Sequence, residues 1–252
     1  MATPVIFITG ATSGFGAATA RLFAGKGWKV IATGRRMDRL EALQQEFPAG
    51  QIHITAVDLR DRASIEAAVA AIPDAFKPVK VLFNNGGLAL GSDPIPNVDQ
   101  DDWQTMIDTN IFGLINTTMA LLPSLREAGR GAAIVNVGSI AQRFAYPGGN
   151  VYGATKAFVH QFSENLRADL AGGDIRVTSL EPGMAKSEFT LVRTHGDAEA
   201  NEKMYQGVEP ILPENIADIV WFLANQPPHI NIGIIEVTPV VQVPSRPTIV
   251  RK

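Results

Sequence analysis

Residues 9–16 read Thr9-Gly10-Ala11-Thr12-Ser13-Gly14-Phe15-Gly16 and join an apolar, β-branched run to a segment with the apolar spacing of a helix. The three glycines allow a tight turn, let backbone N–H groups approach a pyrophosphate and let the helix pack closely on the strand. The spacing T-G-x-x-x-G-x-G differs from the G-x-G-x-x-G fingerprint, and the Lys-Ser/Thr pair of a P-loop does not occur here. The stretch therefore predicts a dinucleotide-binding turn, with a bare strand-to-helix turn as the alternative.

The same alternation of a short β-branched run and a longer helical segment continues along the whole chain. Runs that are almost continuously apolar are typical of strands buried on both faces of a parallel sheet. We expect a single α/β domain over residues 1–252, with a doubly wound Rossmann fold and a seven-stranded parallel sheet covered by helices on both faces. The predicted strands are Val5–Thr9, Lys29–Thr33, Gln51–Leu59, Val79–Asn84, Ala132–Val137, Ile175–Leu180 and Gly233–Val237. The predicted helices lie near Gly14–Lys26, Arg36–Phe47, Arg62–Ala71, Gln100–Glu127, Val151–Leu170 and Pro213–Asn225.

Two segments depart from this alternation. Residues 184–208 form a long insertion of mixed polarity after the sixth strand, which is typical of a lid or substrate loop; a plain surface excursion is the alternative. Residues 240–252 contain Pro244 and Pro247 and are too extended-looking for a helix. We expect this tail to lie across a neighbouring subunit.

Composition excludes several classes of protein. Apolar residues make up 46% and charged residues 19% of the chain, which suits a compact core and not a disordered protein. The formal net charge is −3 and no run of like charges occurs, so we expect no nucleic-acid partner. The absence of cysteine excludes disulfides and thiolate catalysis. With no 18-residue apolar span and no targeting signal, we expect no membrane partner and a cytoplasmic location.

The second predicted strand ends in Thr33-Gly34-Arg35-Arg36. A site specific for NAD has an acidic residue at this position, which binds the ribose 2′-hydroxyl. A guanidinium instead favours a 2′-phosphate, through planar, charge-assisted hydrogen bonds. The two arginines therefore predict a preference for NADP(H). The alternative is a pair of solvated side chains, although cations near the amino terminus of a helix are mildly unfavourable.

Tyr152 and Lys156 form Y-x-x-x-K within the predicted helix Val151–Leu170, so their side chains share one face, one turn apart. An ammonium beside a phenol favours phenolate, and we expect it to lower the pKa of Tyr152 toward the working range of a general acid and base. Ser139 follows an apolar strand that ends at the same sheet edge, where its hydroxyl could bind the reacting oxygen. By itself the pair could equally serve packing and surface roles; its combination with the glycine turn and the arginines predicts catalysis.

With these motifs the chain resembles a standard-length member of the short-chain dehydrogenase/reductase family over nearly its whole length. Asn84-Asn85-Gly86-Gly87 matches the family's N-N-A-G segment, with Gly86 in place of alanine, which should loosen the turn slightly. Pro182-Gly183 matches the nicotinamide-side turn, with Ser187 where a threonine is commoner. The resemblance implies a catalytic tetrad of Asn110, Ser139, Tyr152 and Lys156. It implies NADP(H) contacts from Gly10, Thr12, Ser13, Gly14, Phe15, Gly16, Arg35, Arg36, Asp58, Leu59, Asn85, Gly86, Tyr152, Lys156, Pro182, Gly183 and Ser187.

The family's chemistry has Tyr152 exchange a proton with the substrate oxygen while hydride moves between the substrate carbon and the nicotinamide. No metal is expected, because the four histidines are scattered without ligand spacing. His160, one turn beyond Lys156, is expected to pack in the helix. A catalytically silent protein that only senses NADP(H) is the alternative from another class, which the presence of both Tyr152 and Lys156 disfavours.

Basic and aromatic residues near Ser139 and in the insertion suggest a small anionic substrate, since an arginine on a lid suits bidentate capture of a carboxylate or sulfonate. The candidate substrate-binding residues are Ser139, Arg143, Tyr146, Tyr152 and Arg193, and a solvated surface position is the alternative for Arg193. Residues 85–91, 103–110, 146–158 and 188–197 are similar to bacterial NADP-dependent 3-hydroxy acid dehydrogenases, acting on serine, allo-threonine or 3-hydroxypropionate, and to sulfoacetaldehyde reductases. The resemblance favours a 3-hydroxy acid and its semialdehyde or ketone; sulfoacetaldehyde is the alternative. It also implies a homotetramer built through the two long helices.

Overall fold

The computed structural model describes residues 3–243, which contain one seven-stranded sheet in the order β3-β2-β1-β4-β5-β6-β7 with every pair parallel. Strands β1 and β4 in the centre of the sheet are buried at every residue, as their apolar sequences require. The predicted doubly wound sheet is confirmed. The strands are β1 Val5–Ile8, β2 Lys29–Gly34, β3 Ile52–Ala56, β4 Val81–Asn84, β5 Ala132–Val137, β6 Ile175–Pro182 and β7 Ile234–Val237.

Helices cover both faces of the sheet, and two separate groups of buried apolar side chains pack between the layers. The chain order reverses between β1 and β4, so the carboxyl ends of these strands open a crevice there, which is where open α/β sheets bind ligands. The helices are α1 Gly14–Gly25, α2 Met37–Gln45, α3 Arg62–Ala70, α4 Gln100–Ile107, α5 Gly113–Ala128, α6 Asn150–Asp169, α7 Phe189–Arg193, α8 Ala198–Tyr205 and α9 Pro213–Ala224. None of the helices in the described part of the chain is long and apolar enough to cross a membrane.

The prediction of a single long helix over Gln100–Glu127 is wrong in one respect. A π-helical turn, Asp108–Phe112, interrupts it between α4 and α5. Such turns insert one residue into the helical repeat and are frequent at functional sites. Here the turn holds Asn110 inward, 3% exposed, where its amide exchanges two hydrogen bonds with the backbone of Leu88.

The insertion after β6 contains the two short helices α7 and α8. The turn between them includes His195 and Gly196 at φ of 51° and 95°. A backbone bridge between Ala185 and Ile211 closes the base of the insertion. Of the predicted tail, Val240 and Val241 are exposed, and residues 244–252 lie outside the described part of the chain.

Candidate active site

The turn between β1 and α1 is built by close backbone contact. Gly10 has φ of 67°, in the left-handed region that suits glycine. A Cβ at Gly16 would overlap the carbonyl group of Gly10 and lie 2.7 Å from the side-chain nitrogen of Asn85. That nitrogen donates to the carbonyl oxygens of Thr9 and Gly10, at 2.9 and 3.1 Å. The segment after β4 therefore fixes the loop whose N–H groups face the crevice.

A cleft of about 360 Å³ runs along the carboxyl edge of the sheet from this turn to α6 and α7. It brings together the residues that the sequence predicted for the cofactor, apart from Gly16, which lies behind the turn. The lining includes Gly10, Thr12, Ser13, Gly14, Phe15, Arg35, Arg36, Asp58, Leu59, Asn85, Gly86, Tyr152, Lys156, Pro182, Gly183 and Ser187. Of the predicted tetrad, Ser139, Tyr152 and Lys156 line the cleft as well. The elongated shape fits a dinucleotide with its reactive ring beside α6.

The two arginines after β2 lie at one end of this cleft, and both are exposed. Arg36 donates to the hydroxyls of Thr12 and Ser13, each at 3.0 Å, and to Glu188. These contacts place a guanidinium directly beside the first glycine turn. This end of the cleft therefore offers a guanidinium to a phosphate on the adenosine ribose.

Asp58 and Gly86 lie on the wall next to these arginines. The Asp58 carboxylate pairs with Arg60 at 2.6 Å, and this hydrogen bond lowers the pKa of Asp58. At Gly86, a Cβ would overlap the side chain of Leu59. An alanine at this position would therefore require the end of the Leu59 side chain to shift.

The residues at the catalytic end of the cleft are buried. Ser139 and Tyr152 are 9% and 8% exposed, and Phe189 packs against the Tyr152 ring with centroids 5.6 Å apart. The Ser139 hydroxyl accepts from the Ala141 N–H at 3.1 Å, which fixes its orientation at the end of β5. A phenol and a hydroxyl are thus held together at the point where a carbonyl oxygen could reach both.

The expectation that Lys156 lowers the pKa of Tyr152 is wrong. Burial raises the pKa of Tyr152 to about 12, against smaller effects in the opposite direction from a hydrogen bond with Ser139 and the charge of Arg193. The Lys156 ammonium lies 5.9 Å from the centre of the phenol ring. Because desolvation outweighs these charges, the phenol stays protonated at neutral pH, which is the form that can donate a proton.

Lys156 is itself buried, and desolvation lowers its pKa to about 8. Its ammonium donates to the carbonyl oxygen of Val137 at 2.7 Å. The backbone of Gly87 lies between Lys156 and Asn110, since a Cβ there would be 3.6 and 3.1 Å from the Lys156 Nζ and the Asn110 Oδ1. Asn110 also donates to the hydroxyl of Thr155 on α6. The predicted tetrad therefore comes together around the end of β4.

Arg193, at the end of α7, turns toward this site. Its guanidinium carbon lies 5.7 Å from the ring centres of both Tyr146 and Tyr152. It donates to two backbone carbonyls, those of Gly91 and Gly148, at 3.3 and 3.5 Å. Among the described residues no carboxylate lies within ion-pair distance of Arg193.

Of the predicted substrate residues, Ser139 and Tyr152 line the cleft, whereas Arg143, Tyr146 and Arg193 do not. Arg143 is also turned away from the Tyr152 ring that Arg193 contacts, toward carboxylates. It pairs with Glu236 at 2.8 Å and lies 3.7 Å from Glu181, a carboxylate that is fully buried. The opposite side of Glu181 contacts His160 Nδ1 at 2.7 Å, so His160 ties α6 to the end of β6. The candidate substrate role of Arg143 loses its basis, because these carboxylates hold its guanidinium.

Several lining residues were not singled out by the sequence analysis. Leu88, Glu188, Phe189 and Val192 all face the cleft. Val192 and Arg193 follow Phe189 by three and four residues. On a helix this spacing places the three side chains on one face, which is the signal in the sequence that could have identified them. Leu88 gives no comparable signal, since its role depends on the contact with Asn110.

A dinucleotide cleft that ends at a buried phenol, a hydroxyl and an ammonium defines a nicotinamide-dependent oxidoreductase. The family model described as short chain dehydrogenase matches residues 4–197. The chain belongs to the short-chain dehydrogenase family.

Named relatives resemble it over almost their full length. The serine 3-dehydrogenase of Agrobacterium fabrum is 55% identical, with 94% of each chain covered. The sulfoacetaldehyde reductase of Chromohalobacter salexigens is 53% identical over 95% of each chain. The NADP-dependent 3-hydroxy acid dehydrogenase YdfG of Salmonella typhi is 50% identical over 94% of this chain and 96% of the relative.

The fold agrees with a solved structure described as the closed form of serine dehydrogenase complexed with NADP⁺. Its TM-score is 0.95 at 45% identity, and the match covers 98% of this chain and 100% of that one. The protein is an NADP-dependent dehydrogenase/reductase that acts on hydroxyl groups. The observed cleft fits this cofactor, because Arg35 and Arg36 lie at one end and the glycine turn is adjacent.

Proposed function

We propose that this enzyme interconverts a small anionic 3-hydroxy acid, of the serine, allo-threonine or 3-hydroxypropionate type, and its semialdehyde or ketone. The observation that carries the proposal is the position of Arg193. This part-buried cation binds two neutral carbonyls and has no carboxylate partner among the described residues, so its charge is available to a ligand. Because it lies against the Tyr152 ring, the anion must be close to the reacting carbon.

The protein's own groups account for the proton in this reaction. When bound, NADPH supplies the hydride. Tyr152, kept protonated by burial, donates its proton to the carbonyl oxygen as the alcohol forms, and Ser139 can hydrogen-bond the same oxygen. In the oxidative direction the phenolate takes the proton back. Lys156 and Asn110 are positioned around Gly87, and the Lys156 ammonium lies 5.9 Å from the centre of the Tyr152 ring.

The cofactor's 2′-phosphate is assigned here to Arg35 and Arg36, and its pyrophosphate to the turn between Gly10 and Gly16. The contacts of Arg36 with Thr12 and Ser13 support this assignment, because they hold the guanidinium beside the turn. Asp58 and Leu59 form the adjoining wall on the adenine side.

Sulfoacetaldehyde reduction to isethionate is the second candidate. Sulfoacetaldehyde and malonic semialdehyde both carry an anion separated from the carbonyl carbon by one methylene group. A guanidinium can bind a sulfonate or a carboxylate through paired N–H donors. The relative of Chromohalobacter salexigens that is named for this activity is 53% identical to this chain.

The substrate assignment predicts a selective loss in Arg193→Ala. Charge-assisted hydrogen bonds contribute roughly 1.5 to 3 kcal/mol, so kcat/KM for malonic semialdehyde should fall about ten- to hundredfold. Steady-state NADPH consumption measures this, with propanal as an uncharged aldehyde of the same carbon count. The rate with propanal should change little. An unchanged KM for every anionic substrate would contradict the anion-binding role of Arg193.

The assembly is proposed to be a homotetramer formed through the two long helices. Large apolar side chains on the surface support an interface there: Phe112 is 51% exposed and Met119 is 60% exposed. Phe112 lies on the π turn and Met119 on α5, both within the segment predicted as the first of the two long helices. A cytoplasmic location is also proposed, on the basis of the cysteine-free composition.

A further inference from the structure

Glu188 forms an ionic bridge across the opening of the cofactor cleft. It immediately precedes α7, on the insertion that carries Arg193. Its two carboxylate oxygens accept from two different arginines, Arg36 at 3.0 Å and Arg39 at 2.6 Å. The arginines lie on the other side of the cleft, at the start of α2 and within its first turn.

The bridge lies over the glycine turn. A Cβ at Gly14 would be 3.4 Å from the Cβ of Ser187, the residue before Glu188. Arg36 also donates to Thr12 and Ser13 of the turn. The insertion is therefore attached both to the start of α2 and, through Arg36, to the glycine turn.

Charge balance explains how a bridge and a phosphate can share these arginines. Three guanidiniums, those of Arg35, Arg36 and Arg39, and one carboxylate leave a net charge of about +2 at this end of the cleft. A phosphate monoester carries about −1.5 to −2 at neutral pH. Because Arg39 holds Glu188 independently of Arg36, the bridge can persist when a 2′-phosphate binds Arg36.

We propose that Glu188 and Arg39 are positioning residues that fasten the substrate loop to the 2′-phosphate end of the cleft and so retain NADP(H). The insertion then closes over the cofactor at one end and presents Arg193 at the other. This inference goes beyond the proposed substrate and rests on the assignment of Arg36 to the 2′-phosphate. Exposed ion pairs are individually weak, but a carboxylate held by two arginines in a network is the exception.

The proposal is tested by the rate of NADPH release from Glu188→Gln, measured by stopped-flow fluorescence. Loss of the bridge should speed release about three- to tenfold, as expected for a small ion-pair network. If Glu188 merely repelled the phosphate, the same substitution would slow release. A slower or unchanged release rate therefore overturns the proposal.

A second readout follows the loop itself. Amide hydrogen exchange over residues 187–195 should become faster in Glu188→Gln, with and without NADPH, while the unfolding temperature stays unchanged. Arg39→Gln should act in the same direction but no more strongly, because Arg36 can still contact Glu188. The double variant should release NADPH no faster than Glu188→Gln, because that substitution already removes the contact with Arg39. Additive effects of the two substitutions would contradict a shared bridge.

Arg21→Gln is the matched control. Arg21 forms a comparable exposed pair with Glu46, at 2.6 Å, which does not border the cleft. Its loss should leave NADPH release unchanged. The assignment of Arg36 is tested separately by comparing NADPH and NADH binding to Arg36→Gln, so a failure of that assignment can be distinguished from a failure of the bridge.

Discussion

Tyr152→Phe should lower kcat for carbonyl reduction by about a hundredfold to ten-thousandfold, the usual contribution of a positioned proton donor. The substitution keeps the ring that packs on Phe189 and removes only the hydroxyl. NADPH affinity should change little, because the glycine turn and the arginines are untouched. Steady-state NADPH consumption and an independent binding titration measure the two quantities.

Tyr146→Phe is the control for this prediction. The Tyr146 ring also contacts Arg193, with the ring centre 5.7 Å from the guanidinium carbon. The substitution removes a phenol oxygen, as it does at Tyr152. Because the donor role belongs to Tyr152, the control should retain most of its turnover. Full turnover by Tyr152→Phe would show that another group supplies the proton.

Gly16→Ala should abolish tight NADPH binding and destabilise the protein. The new methyl group would overlap the backbone carbonyl of Gly10 and press on the side chain of Asn85, neither of which can move without opening the turn. Overpacking of this kind costs about 1–3 kcal/mol, and we expect at least a tenfold loss of NADPH affinity. Thermal unfolding and fluorescence titration give the two values.

Gly25→Ala provides the comparison on the same helix. A Cβ at Gly25 meets nothing within 4 Å, and the residue lies in the last turn of α1. Since alanine is the better helix former, this variant should be as stable as the parent chain or slightly more stable. Equal behaviour of the two variants would mean that the close approach at Gly16 does not hold the turn.

The fold could be predicted from the sequence because the buried strands consist mainly of apolar residues. Runs such as Val79–Asn84 and Ala132–Val137 are mostly apolar and short, and they recur between helical segments, which is typical of strands in a sheet covered on both faces. Helix bounds were predictable to within a few residues. The π turn at Asp108–Phe112 was not, since it depends on the fit of Asn110 to the backbone of Leu88 and leaves no periodic signal.

The site could be predicted where local spacing, or a position at the end of a strand, fixes where a side chain lies. Tyr152 and Lys156 meet because four residues make about one helical turn, and Arg36 meets the glycine turn because both follow neighbouring strands. The pKa shifts and ion pairs that depend on tertiary packing could not be predicted. Burial reverses the expected pKa shift of Tyr152, and the carboxylates of Glu181 and Glu236 hold Arg143 outside the cleft. The pairing of Glu188 with Arg39 joins residues 149 positions apart in the chain.

A protein that senses NADP(H) without chemistry would share the fold and the cofactor cleft. It would have no use for a buried phenol beside Arg193, a guanidinium that has no carboxylate partner within residues 3–243. NADPH consumption by the unaltered protein with malonic semialdehyde, sulfoacetaldehyde and propanal separates these functions. The arrangement of Tyr152 and Arg193 predicts rapid consumption with at least one of the two anionic aldehydes and much slower consumption with propanal. Tight NADPH binding with no turnover of either anion would contradict it.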